Sequence, residues 1–177
     1  MAVLDIITAP HPILEMSARE VEADEFGPEL EAYTKDMAET MYAAPGVGLA
    51  APQVSDSRRI LVIDSGEKEE RGVRFFAFVN PTIIEASTDT IPWRETCLSV
   101  PDFEIEVQRH RVITVEFQAP IDGSVQRETF EDYEAVIVQH EMDHLTGTLL
   151  LDRASRFRRG RYMKKVAKLK KRLKELA

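Results

Sequence analysis

Apolar residues recur along this chain with two different periods, and the period changes with position. After Gly27-Pro28, residues Leu30, Tyr33, Met37 and Met41 follow one another at spacings of three and four, the stripe of an amphipathic helix. Proline suits the first turn of such a helix, and Ala43-Ala44-Pro45-Gly46 stops it. Ile60 to Ile63 and Phe75 to Val79 are β-rich runs bounded by turn residues. Arg111 to Phe117 alternates, with Ile113, Val115 and Phe117 on one face, and Asp122-Gly123 then offers a tight hairpin turn. Two further helices are predicted, over roughly Glu131 to Thr146 and Ser155 to Leu176. Strands in the middle with helices at the ends predict an α+β fold rather than alternating βαβ units. No repeat or long linker divides the chain, so residues 1–177 are expected to form one domain, with a C-terminal helix at about 155–176.

Composition narrows the class. Of 177 residues 44% are apolar, too many for a disordered chain. The longest run without a charge, Thr40 to Ser55, contains Pro45 and Pro52 and falls short of the ~20 apolar residues of a membrane span. Asp5 interrupts the early apolar stretch and the first Lys or Arg is Arg19, so no targeting peptide is expected. The single cysteine, Cys97, has no internal disulfide partner and suits a reducing cytosol, which predicts a cytoplasmic protein. The net charge of −8 divides unevenly. Residues 153–177 carry twelve Lys/Arg against Glu175, a balance of +11, whereas residues 1–152 carry eleven against thirty acids, a balance of −19. Such a tail either seeks nucleic acid or another anionic surface, or is a solvated helix balancing the body. Its apolar positions Tyr162, Val166, Leu169, Leu173 and Leu176 form one narrow stripe that could dock it.

Chemistry concentrates in Gln139-His140-Glu141-Met142-Asp143-His144. Histidines at i and i+4 on a helix point the same way, so both imidazoles can reach one metal ion. Glu141 follows the first of them, where a carboxylate can act as a general base without being a ligand. Two histidines leave a catalytic metal one protein ligand short. Downstream, the extended zinc-peptidase form fails because Leu150 occupies the ligand place, so the third ligand is expected upstream. Cys97 is the best candidate, with His11 and His110 competing. A second stretch, Gly46-Val47-Gly48-Leu49-Ala50-Ala51-Pro52-Gln53, has two glycines that permit close backbone approach and ends in a lone amide. A zinc endopeptidase and a closed structural metal site with an RNA-binding tail are the competing readings.

Gly46 to Gln53, Glu95-Thr96-Cys97-Leu98-Ser99 and Gln139 to His144, in that order, resemble the three motifs of the peptide deformylase family, and the likeness runs nearly end to end. The resemblance implies a metal-dependent hydrolase that removes formyl from the N-terminal formyl-methionine of nascent chains. It implies an α+β fold with the motif helix packed among small antiparallel sheets. Cys97, His140 and His144 would bind the metal, typically ferrous iron, Fe(2+), with zinc, nickel or cobalt able to substitute. Glu141 would handle protons, and the Gln53 amide and Leu98 N–H would polarise the formyl oxygen. Val47-Gly48 would pair with the substrate as an added strand, and Tyr133, Val136 and Ile137 would line the methionine pocket. The basic helix would meet ribosomal RNA near the nascent-chain exit. Thr96 stands where the family usually has Gly, which predicts an extended backbone there. Asp132-Tyr133-Glu134 replaces the usual Gly and apolar residues, and Asp102, Glu104 and Glu106 make an acidic stretch where many relatives are basic.

Overall fold

Four consecutive apolar residues such as Ile60 to Ile63 can all be buried only if both faces of their strand are covered, and in the computed structural model both are. The structure describes residues 2–66 and 68–176. In chain order its elements are α1 (Pro28–Ala43), β1 (Gly48–Ala50), β2 (Ile60–Asp64), β3 (Phe75–Ala86), β4 (Thr90–Cys97) and β5 (Val100–His110). Then follow β6 (Val112–Gln118), β7 (Val125–Glu131), α2 (Asp132–Leu145) and α3 (Arg156–Leu176). Five strands form an antiparallel sheet in the order β1-β2-β3-β6-β7, and β4 pairs with β5 as a separate hairpin. The fold is α+β, as expected.

On β2, Leu61 and Ile63 face one apolar cluster with Phe78, Val115 and Phe130 and with Ala135, Ile137 and Val138 of α2. Ile60 and Val62 face the other side, against Leu30, Met37 and Met41 of α1. Helices on both faces explain the unbroken apolar run, whereas β6, covered on one face, alternates with Ile113, Val115 and Phe117 buried. A third cluster joins Cys97, Phe103 and Val107 of the β4–β5 hairpin to Leu149, Leu150, Leu151 and Tyr162. Gln139 fastens α2 to the end of β5: its amide nitrogen donates to the His110 carbonyl at 2.8 Å and its oxygen accepts the His110 N–H at 3.1 Å. Just past the end of α2, Gly147 takes a positive φ of 72° and its N–H donates to the His144 carbonyl, and a Cβ there would strike the Glu15 carbonyl at 2.6 Å.

One expected detail needs correction. A two-residue turn at Asp122-Gly123 would set Ile121 opposite Ser124, but the ladder pairs Gln118 with Val125 and residues 119–124 form a longer connection. The carbonyl of Ala119 accepts the Gly123 N–H at 2.9 Å, and the Ala119 N–H donates back to Ser124.

The tail helix divides the two uses foreseen for its stripe. Tyr162 is buried, donates its hydroxyl to the Pro101 carbonyl at 2.8 Å and meets Phe103 edge-on at 5.3 Å. Val166 packs partly on the same cluster, but Leu169, Leu173 and Leu176 stay 47%, 67% and 84% exposed. Docking thus ends within the first turns. Among the described residues no helix is long and apolar enough to cross a membrane. Tyr162→Ala should cost about 3 kcal/mol, the scale of a large-to-small change at a buried site, whereas removing residues 168–177 should leave the thermal midpoint essentially unchanged. Thermal unfolding of both variants checks this, and equal losses would place the anchor farther along the helix.

Candidate metal centre

His140 and His144 project from one face of α2, their rings 5.3 Å apart between centroids and 72° inclined. Cys97 ends β4, just after a register shift in its pairing with β5 between Thr96 and Cys97. Its Sγ lies 3.4 Å from His144 Nε2, and the donor atoms of Cys97, His140 and His144 all fall within 4.8 Å of one another. Donors bound at roughly 2.0–2.3 Å to one tetrahedral ion are separated on this scale. The other histidines lie elsewhere: His11 accepts the Ile13 N–H at the start of a 3₁₀ turn, and exposed His110 has Nδ1 2.7 Å from the Ser87 carbonyl. Cys97 is therefore the residue that completes the cluster.

The surroundings fit a cation. His140 Nδ1 is 2.7 Å from Glu95 Oε2, and Arg109 grips both oxygens of Glu95 through Nε (2.7 Å) and Nη2 (2.9 Å). Arg109 Nη1 reaches Asp143 at 2.8 Å, and Arg153 clasps Asp143 from outside at 2.7 and 2.8 Å. Burial would raise the Glu95 carboxyl, but bonds from Arg109 and His140 outweigh it and hold it down to about 2. Burial opposes charge on His140 too, yet Cys97, Glu95 and Glu141 together push its pKa well above the usual value. Negative groups converge on this point and favour positive charge there. His144 is kept neutral by burial and by the charges of His140 and Arg109, which leaves its lone pair free to ligate.

Glu141 lies buried beside this cluster, one carboxylate oxygen without a partner among the described residues, and burial pushes its pKa up to about 7. Strand β1 passes so close that a Cβ on Gly48 would strike the Glu141 carboxylate, coming within 2.7 Å of its Cγ. Buried Gln53 accepts the Ala50 N–H through Oε1 at 2.9 Å, which turns its Nε2 towards Ser99 Oγ (3.2 Å) and Cys97 Sγ (3.8 Å).

A cavity of about 320 Å³ gathers nearly every residue singled out above. Val47, Gly48, Gln53, Cys97, Leu98, Tyr133, Val136, Ile137, His140 and Glu141 line it, with His144 buried behind. Thr96 is extended within β4, opposite Glu104. Trp93 and Arg94 also line the cavity, and neither they nor Arg109 and Asp143 were foreseen. Glu95 had a signal: it stands two residues before Cys97 on one strand, so both point to the same face.

Comparison with known proteins follows the same lines. A family profile described as polypeptide deformylase matches residues 3–160. The peptide deformylase of Phenylobacterium zucineum is 44% identical over 169 residues, 95% of this chain and 97% of that one. The crystal structure of peptide deformylase from Ehrlichia chaffeensis superposes with a TM-score of 0.85 at 32% identity, covering 99% of this chain and 100% of the other. A class I type b peptide deformylase from Acinetobacter baumannii, solved with Met-Ala-Ser bound, gives 0.80 at 34% identity over 86% of this chain and 99% of that one.

Glu95→Ala should lower metal affinity about 10- to 100-fold, as loss of a histidine's outer partner does, and competition with a chelator reads it. The same carboxylate stabilises the fold in its ionised form. Its contribution should be full above the unfolded value of 4.5 and disappear as pH falls from there to about 2. Acid unfolding of wild type and variant should therefore converge across that window, and a constant difference would refute the assignment.

Proposed function

The chain belongs to the peptide deformylase family, hydrolases that remove the N-formyl group from nascent polypeptides, and we propose that it does so as a metal-dependent amide hydrolase acting on formyl-methionine. The observation that carries this reading is the convergence of Cys97, His140 and His144 in one cluster beside a buried Glu141, one of whose carboxylate oxygens has no partner among the described residues. These three donors would hold the metal. By family likeness it is Fe(2+), and zinc, nickel or cobalt suit the same donors. When bound, such an ion supplies a Lewis acid and lowers the pKa of a water from about 15.7 towards ~7.

The chain's own groups do the rest. Glu141 takes a proton at its carboxylate as water adds to the formyl carbon, and returns it to the nitrogen as the C–N bond breaks. Formate and a free amine leave. Gln53 Nε2 and the Leu98 N–H donate to the formyl oxygen as it gains charge, and each such donor is typically worth about 10²–10³ in rate. Gly48 opens β1 and Val47 precedes it at the edge of the five-stranded sheet, where a substrate backbone can add as a further strand. Tyr133, Val136 and Ile137 receive the methionine side chain. Residues 1–177 act as one deformylase domain in the cytoplasm. The uncovered part of the basic helix holds it to ribosomal RNA near the nascent-chain exit.

Three measurements test this. Glu141→Gln should keep its metal and lose turnover by about 10²–10⁴-fold, whereas Cys97→Ala should lose metal; formate release from formyl-Met-Ala-Ser and metal analysis separate the two. The base acts only when ionised, so kcat/KM should fall on the acid side. Because a bound cation favours the carboxylate, that limb should lie below the value of about 7 set by burial. Removing residues 168–177 spares Tyr162 and should abolish co-sedimentation with ribosomes at low salt without loss of peptide hydrolysis. Full-length binding should weaken with salt at a log–log slope of roughly −0.7 to −0.9 per neutralised phosphate. Undiminished co-sedimentation of the shortened chain would dismiss the tail as the anchor.

A further inference from the structure

Two aromatic side chains from different elements form part of the cavity wall. Trp93 stands on β4 and Tyr133 in the first turn of α2, and their rings stack at 5.2 Å between centroids with 26° between planes. The pair is not core packing, because neither ring belongs to the three apolar clusters that hold the fold together. Its position is nevertheless enforced. Asp132, just before Tyr133, has a left-handed φ of 48°, a conformation that persists in a non-glycine residue only where neighbours hold it. Arg111 does so, donating from Nε to the Asp132 carboxylate at 2.8 Å while its carbonyl accepts the Asp132 N–H at 2.8 Å. On the other side Arg74 grips the Glu134 carboxylate at 2.6 and 2.8 Å. Tyr133 is thus held between two anchored neighbours while 38% of its own surface is exposed.

We propose that the Trp93–Tyr133 pair determines specificity by reading the sulfur of the substrate's methionine. The inference rests on the cavity being the seat of formyl-methionine. The aliphatic part of the wall, Val47, Leu98, Val136 and Ile137, grips a methylene and a sulfur about equally. An aromatic wall does not: a thioether is polarisable and gains an additional attraction to ring edges at about 5 Å. With one face of each ring covered by the other, the pair offers a ligand its rims and outer faces. The pocket therefore separates methionine from norleucine, which has the same length and a methylene in place of sulfur.

The test compares formyl-Met-Ala-Ser with formyl-norleucine-Ala-Ser on wild type, Trp93→Leu, Tyr133→Leu and Tyr133→Phe. Wild type should favour methionine by about 2- to 10-fold in kcat/KM. The difference should lie in KM, because the contact is made equally before and during reaction. Both leucine variants should bring the ratio close to one, and Tyr133→Phe should preserve it. Each ratio is taken on one preparation, so partial unfolding cancels. A wild-type ratio of one, or a wild-type ratio retained by both leucine variants, overturns the assignment. Formate from neither peptide would instead overturn the deformylase reading, and this assignment with it.

Discussion

Arg109 ties together the two halves of the metal cluster. Cys97 comes from a two-stranded hairpin and both histidines from a helix on a different sheet, so local structure alone does not bring them together. The Arg109 guanidinium, 4% exposed, spans the join between Glu95 beside Cys97 and Asp143 beside His144. Glu95 then fixes the His140 ring through Nδ1. Burying an arginine is costly unless its donors find acceptors, and losing one partner of such a pair costs about 3–5 kcal/mol. An apolar replacement could pack as stably. It could not orient an imidazole, and orientation is what a ligand set requires.

That frame also shapes the strand facing the helix. Glu141 is buried because α2 is pressed against β1, and β1 can come so close only by carrying Gly48. Two requirements therefore meet at one residue. A side chain there would push the carboxylate away, and the same small strand forms the edge of the five-stranded sheet beside the cavity. The raised pKa of Glu141 follows from the same tight contact, since burial is its main cause. Packing and proton chemistry are one constraint here.

Elements whose apolar period is clean were legible in the sequence: α1, the motif helix, β2 and the alternation of β6. The grouping of Cys97 with His140 and His144 was legible too, because histidines at i and i+4 mark one helical face and a lone thiol has few uses. The β4–β5 hairpin was not. On β5 the buried face reads Phe103, Ile105, Val107 and then Arg109, and on β4 it reads Trp93, Glu95, Cys97. A charge sits where the period demands an apolar residue, and its partner lies fourteen positions away on another strand. No local pattern reveals that the two neutralise each other. The ion pair that assembles the site is what hid its hairpin.

The basic helix obeys a different logic. It carries eleven Lys/Arg between residues 156 and 174, and like charges at i and i+4 oppose helix formation. Few of these cations are used by the fold. Arg159 pairs with Asp152, Arg158 donates to the Glu104 carbonyl, and Lys165 approaches Asp102, all beside the Tyr162 anchor. Beyond them, among the described residues, the ion pair is Lys171 with Glu175, exposed and of small value. The acidic body thus leaves most of the tail's charge unneutralised, although its own excess of carboxylates could have covered it. A helix that repels itself and keeps Leu169, Leu173 and Leu176 in water contributes little to the stability of this fold. Tyr162 and Val166 dock the start of the helix, and beyond them both the charge and the remaining apolar positions face water.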